Sequence, residues 1–170
     1  MQPVPLGTTH TITYCVHDNH LISNVLPEIP VLASKLPILA TGWLIILCEW
    51  APLDALSAYH TAEEEPLGTL VDGFRHRLSV SPDTDVRVET ECVLSHGRRT
   101  EWESRAYDGS DLVAHGCFGF VTVNRVEHLK RLQARQQKGA GYHALSPRQG
   151  AQQEQAKQGH EQGHAQEGSG

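Results

Sequence analysis

Hydrophobic residues in this chain follow two different periods, and the change between them divides it. From Leu70 to Val80 the even positions carry Leu70, Asp72, Phe74, His76, Leu78 and Val80, while the odd ones include Arg75, Arg77 and Ser79. From Val86 to Leu94 the even positions are Val86, Val88, Thr90, Cys92 and Leu94, against Arg87, Glu89 and Glu91. Strict alternation puts one face of a strand in a core and the other in water. Further strands are expected from about Arg98 to Tyr107 and from Leu112 to Val123, the last apolar on both faces and therefore central or interfacial. Pro82-Asp83, His96-Gly97 and Asp108-Gly109 punctuate these runs as turns.

Upstream the pattern differs. Thr9 to His17 is a short strand candidate, and Pro27, Pro30 and Pro37 make His20 to Pro37 a loop with one short helix. Thr41 to Tyr59 is long enough for about five helical turns and is apolar almost all round, so it is expected to be buried on most sides. Thr41 is placed to cap its N-terminus through the hydroxyl. Pro52 lacks the amide that would bond the Cys48 carbonyl, and is expected to bend the helix or end it early. A strand, a loop, one long buried helix and four consecutive antiparallel strands make an α+β domain with the sheet wrapped round the helix. Its edge strands offer a route to a symmetric homodimer.

Composition sets the limits of this domain. Residues 1–124 hold 16 acidic and 7 basic side chains, whereas residues 125–170 hold 4 and 7. A folded part with a balance of −9 lacks the basic face that nucleic acid requires. Ten Gln and seven Gly crowd residues 131–170, so the domain is expected to span 1–136 and a disordered tail 137–170. Cys15, Cys48, Cys92 and Cys117 form no C-x-x-C pair and fit buried thiols in a reducing, cytoplasmic setting. The apolar run from Leu36 to Cys48 falls short of the roughly 20 residues of a membrane span, and no signal peptide is visible. His17-Asp18-x-His20 lacks a third ligand nearby, so no metal and no cofactor is expected.

Two residues break the pattern. Glu49 interrupts the apolar helix, with Ile45, Ile46, Pro52 and Leu53 at helical spacing around it. A carboxylate there either finds an arginine, faces a wet crevice, or stays protonated through a raised pKa. His76 shares a strand face with Phe74, Leu78 and Val80, where a satisfied core histidine is the ordinary explanation. Taken with Thr41 at a helix start, they form a set that serves hydrolysis. A carboxylate attacks a carbonyl or activates water, an imidazole carries a proton, and helix-end amides hold an oxyanion.

The segments Ala40-Thr41-Gly42-Trp43, Cys48-Glu49-Trp50-Ala51, Leu67-Gly68-Thr69 with His76, and Gly97-Arg98-Arg99 with Trp102 and Tyr107-Asp108-Gly109 resemble the fluoroacetyl-CoA thioesterase family over about residues 10–130. The resemblance implies a hotdog-fold homodimer that hydrolyses an acyl-CoA or acyl-carrier-protein thioester. It implies Glu49 as nucleophile or as base for water, His76 as proton carrier, and Thr41 as the group that positions the carboxylate or thioester. Gly68, Leu36, Trp43 and Phe120 are the implied substrate-binding positions. Gly68 matches a glycine that lines the acyl pocket. Leu36 stands where the family has a gating phenylalanine, and Phe120 near the place of an arginine on the last strand. Both replacements suit another acyl group. A non-catalytic acyl-thioester-binding dimer is the alternative, whereas the Asp–His spacing of a hotdog hydratase fits poorly here. Arg75, Arg77, Arg98, Arg99 and Arg125 are candidates, by charge, for holding an anionic thioester.

Overall fold

A computed structural model describes residues 1–143. The chain divides into two units, Met1–Glu127 and His128–Gly170. Strand β1 (Thr9–Cys15) leads through a single 3-10 turn at Asp18–His20 to two one-turn helices, α1 (Ile22–Val25) and α2 (Pro30–Ala33). The long helix α3 (Thr41–Leu56) follows, then β2 (Glu64–His76), β3 (Asp85–His96), β4 (Arg99–Asp108), β5 (Asp111–Asn124) and α4 (Arg125–His143).

All five strands form one antiparallel sheet in the order β1-β3-β4-β5-β2. The order corrects the expectation of four strands paired in succession. β3 already has β1 on one side and β4 on the other, so β2 pairs with the free side of β5 and becomes an outer strand. The Pro82-Asp83 turn therefore does not close a hairpin. It ends a crossing segment, in which Val80 is buried and accepts the Leu39 amide while Asp83 donates its own to Val16.

β2 also lies earlier than the alternation suggests. It runs from Glu64 to His76 rather than from Leu70 to Val80. Gly73 takes φ +57°, and the β2–β5 register slips between Asp72 and Arg75. The slip breaks period two, so Leu78 emerges 49% exposed instead of sharing a buried face with Val80. Pro66 is tolerated because an outer strand has one side without ladder bonds. Glu64 and Glu65 open β2 and are both engaged. Glu64 bonds the Met1 ammonium and the Thr61 amide, and Glu65 pairs with Arg125 at 3.4 Å.

α3 lies across the sheet. Leu44, Leu47, Cys48, Ala51 and Leu56 bury against a core that includes Val86, Val88, Trp102, Phe118 and Phe120. The opposite side of the helix is open, with Ile46 47% and Trp50 40% exposed, so the all-round burial expected from its composition is not reached. A helix on one face of a five-stranded sheet has only that face to cover it.

Pro52 neither ends nor shortens α3. The Cys48 carbonyl that Pro52 cannot reach accepts instead from the Ser104 hydroxyl of β4, at 2.9 Å. Ser104 is buried, and its oxygen lies 3.0 Å from that of Thr90 on β3. A two-hydroxyl relay from the sheet thus stands in for the missing helical amide.

α4 runs from Arg125 to His143, so its last turns fall in the segment expected as a tail. Asn124 caps it, accepting the Glu127 amide at 3.1 Å. The rest of the expected tail, with His160 and His164, lies outside the described residues. The four cysteines are free thiols, Cys48 and Cys92 fully buried and Cys15 and Cys117 half-buried. Among the described residues no helix is long and apolar enough to cross a membrane, and no three His, Cys, Asp or Glu side chains are placed to hold a metal ion.

Candidate active site

Thr41 and Glu49 lie on the side of α3 that faces β2, the strand that carries His76. Eight residues separate Thr41 from Glu49, about 12 Å along a helix axis. β2 runs past them in the opposite sense, so its end, His76, meets Thr41, and its early residue Gly68 meets Glu49.

Thr41 is not the helix cap. Ala40 holds that position without a side-chain bond, and Thr41 is the first helical residue. Its hydroxyl is released for another partner, His76 Nδ1 at 2.9 Å. The other imidazole nitrogen, Nε2, lies 2.9 Å from the Leu78 carbonyl. A carbonyl only accepts, so Nε2 carries a proton, and in the neutral ring Nδ1 offers its lone pair to the Thr41 hydroxyl. His76 is therefore held by hydrogen bonds at both nitrogens rather than by core packing.

Thr41 and His76 border a cavity of about 530 Å³ whose wall includes Leu36, Leu39 and Leu78. Leu36 stands at its rim, 73% exposed. Lys35 and Arg77 also line it, and no acidic side chain does.

Glu49 is half-buried and pairs with no arginine. Among the described residues its carboxylate has no hydrogen-bond or ion-pair partner. Burial pushes its carboxyl above the usual carboxylate range. The room it occupies exists because residue 68 is glycine: a Cβ there would stand 3.0 Å from Glu49 Oε1. Gly68 pairs in register with Phe120, which is buried in the core.

The implied site thus falls into two groups within the chain. Thr41, His76 and Leu36 gather at the cavity, and Glu49, Gly68 and Phe120 gather eight residues along. No hydrogen bond joins Glu49 to Thr41 or His76. Trp43 belongs to neither. Its ring lies 4.3 Å from that of His20, in a cluster with Tyr14 and His17, and it does not line the cavity. His20 is buried, accepts the His17 amide at Nδ1, and is held toward its neutral form chiefly by that burial. Asp54, lower on α3, is taken by His10 at 2.7 Å.

Two contributing residues escaped the sequence reading. Ser104 carried a signal, since Pro52 leaves a buried carbonyl that needs a donor and Ser104 is a polar residue between Trp102 and Ala106. Lys35 carried one too, as the one basic residue before Arg75.

A long helix laid on one antiparallel sheet, with its carboxylate against a glycine of the outer strand and a histidine further along that strand, defines a hotdog-fold thioesterase. The chain belongs to the fluoroacetyl-CoA-specific thioesterase family, whose profile matches residues 23–126. The fluoroacetyl-CoA thioesterase of Streptantibioticus cattleyicolor is 30% identical over 130 residues, covering 76% of this chain and 90% of that protein. A solved structure of a fluoroacetyl-CoA thioesterase variant with fluoroacetate and CoA superposes with a TM-score of 0.70 at 27% identity, over 74% of this chain and 99% of that one. A thioesterase superfamily member from Thermus thermophilus gives a TM-score of 0.70 at 26% identity, over 81% and 99% of the two chains.

Proposed function

We propose that this protein hydrolyses an acyl-CoA thioester to the free acid and CoA, at two sites that each take residues from both protomers of a homodimer. The observation that carries the reading is the division of Thr41, Glu49 and His76 into two groups beside an unpaired strand edge. Gly68 and His76 stand eight residues apart on β2, just as Glu49 and Thr41 do on α3. If the outer edge of β2 pairs antiparallel with the same strand of a second copy about Asp72, Gly68 faces the partner's His76. Glu49 of one protomer then shares a site with the Thr41–His76 pair of the other. Val71 on that strand and Ile46 on α3 are exposed apolar side chains that such a dimer would cover.

In this site Glu49 acts on the thioester carbonyl. It attacks directly, releasing the thiolate and giving a mixed anhydride that water then cleaves to the free acid and the Glu49 carboxylate, or it takes a proton from the water that attacks. A carboxylate with few hydrogen-bond partners and partial burial is a stronger base and nucleophile than a solvated one. His76, with Nε2–H fixed on Leu78, uses Nδ1 to exchange a proton with Thr41 and the leaving thiolate. Leu36 and Phe120 put apolar groups where the family has its gate and its arginine. We infer an acyl group other than fluoroacetyl.

The test is thiol release from a panel of acyl-CoAs that includes acetyl, fluoroacetyl and longer chains. Wild type is compared with Glu49→Ala and His76→Ala, and mass is measured in solution. Turnover is expected in wild type alone, from a dimer. Equal turnover by all three removes the catalytic assignment. Ligand-induced stabilisation without turnover favours the binding-only alternative.

A further inference from the structure

The cavity beside Thr41 and His76 poses an electrostatic question, because the domain around it is strongly acidic. Of the basic residues before residue 125, three are neutralised by glutamates: Arg87 by Glu89, Arg99 by Glu101 and Arg105 by Glu103. Arg75 turns back to donate to the Phe74 carbonyl. Arg125, beyond them, is held by Glu65. Lys35 and Arg77 differ from all of these. Among the described residues their side chains have no ion pair and no hydrogen bond, and both line the cavity that holds Thr41 and His76. Arg98 also lacks a carboxylate within ion-pair distance among the described residues, but does not line this cavity.

Both positions are fixed by backbone. The Lys35 amide bonds the Leu32 carbonyl at the end of α2, and the Arg77 amide bonds Val113 of β5 at 2.7 Å. They come from different parts of the fold and line one cavity together with Ile22, Leu36, Ile38 and Leu78. Two uncompensated cations over low-dielectric walls concentrate positive potential at the mouth of a cavity in an otherwise repulsive domain. A wall of that kind suits an extended, largely uncharged arm, and the cations suit an anion at the end of it.

We propose that Lys35 and Arg77 form a two-point anchor for the phosphates of coenzyme A, which holds the pantetheine arm along the cavity with its thioester at Thr41 and His76. The proposal rests on the reading of the protein as an acyl-CoA hydrolase. Arg77 contributes a planar fork that binds two phosphate oxygens, and Lys35 a mobile point charge. Of the five arginines that charge alone offers, only Arg77 lines this cavity, and Lys35 joins it.

The experiment compares an acyl-CoA with the N-acetylcysteamine thioester of the same acid, which has the thioester but no phosphate. Lys35→Ala and Arg77→Ala are each expected to lower the preference for the CoA ester, measured as the ratio of kcat/KM values, by about tenfold. The double variant loses more, and Arg77→Lys keeps part of the preference. Added salt lowers the wild-type preference and has little left to lower in the double variant. An unchanged preference in the double variant overturns the proposal. Equal losses on both thioesters also overturn it, and would put the cations on the acyl end instead. Calorimetric titration with CoA alone separates this question from the hydrolase reading. If no thioester is turned over, that reading falls, while CoA affinity unchanged in the double variant still overturns the anchor.

Discussion

Replacing Ser104 by alanine tests how the helix that carries Glu49 survives Pro52. In wild type the Cys48 carbonyl has no amide at residue 52 and takes the Ser104 hydroxyl at 2.9 Å. Cys48 and Ser104 are buried, so water cannot replace the lost donor without opening the core. A buried acceptor left without a partner costs about 1–3 kcal/mol. For a domain of this size that lowers the melting temperature by roughly 3–10 °C. The decisive comparison is a double-mutant cycle with Pro52→Ala. Alanine restores an amide four residues beyond Cys48, so the carbonyl is satisfied within the helix. Ser104→Ala should then cost only its bond to Thr90 and a small void, about 1 kcal/mol less than in wild type. Equilibrium denaturation of the four proteins measures the coupling. Costs of Ser104→Ala that agree within about 0.3 kcal/mol in the two backgrounds refute the idea that Ser104 substitutes for the missing amide. Because Glu49 directly follows Cys48, the single variant should also lose thioesterase activity beyond what its unfolded fraction explains.

Glu49→Gln should abolish turnover and yet stabilise the fold at neutral pH. Burial raises the Glu49 pKa above its unfolded value, so the ionised carboxylate disfavours folding at neutral pH, and that cost fades as pH falls below the ordinary carboxylate range. Melts across about pH 4 to 8 should show the variant's advantage growing with pH, and an advantage independent of pH would contradict the assignment. The wild-type kcat/KM should rise with pH through a midpoint above the ordinary carboxylate range, because the ionised form reacts. Gly68→Ala puts a methyl 3.0 Å from Glu49 Oε1, so kcat should fall about tenfold or more with little change in melting temperature; retained kcat would mean the carboxylate does not work from that position. Cys48 is fully buried with its thiol pushed up to about 12, so native-state alkylation near pH 8 should leave it unlabelled while Cys15 and Cys117 react, as peptide mass mapping would read.

The sequence by itself determined the elements and the chemical set. Alternation at 86–94 marked β3, because a half-buried strand must repeat every second residue whatever lies beside it, and the run 98–107 between two turn signals marked β4. The apolar run after Thr41 marked α3, and Glu49 stood out because a carboxylate in such a run conflicts with its surroundings. Those are local properties, legible without neighbours. Which strands are neighbours is not local. β2 was placed beside β5 by the edge that remained free, and its alternation failed at Gly73, where a bulge rather than the residue pattern sets the facing. Thr41 had the composition of a cap, but only the approach of β2 decided that its hydroxyl would bond His76. Pro52 announced an unsatisfied carbonyl, and only packing of β4 under α3 supplied Ser104 to meet it. Most of all, the sequence listed Thr41, Glu49 and His76 together, whereas the fold sets Glu49 apart from the other two, about 12 Å along the helix axis from Thr41. A helix of fixed rise and an antiparallel strand beside it leave no other arrangement within one chain.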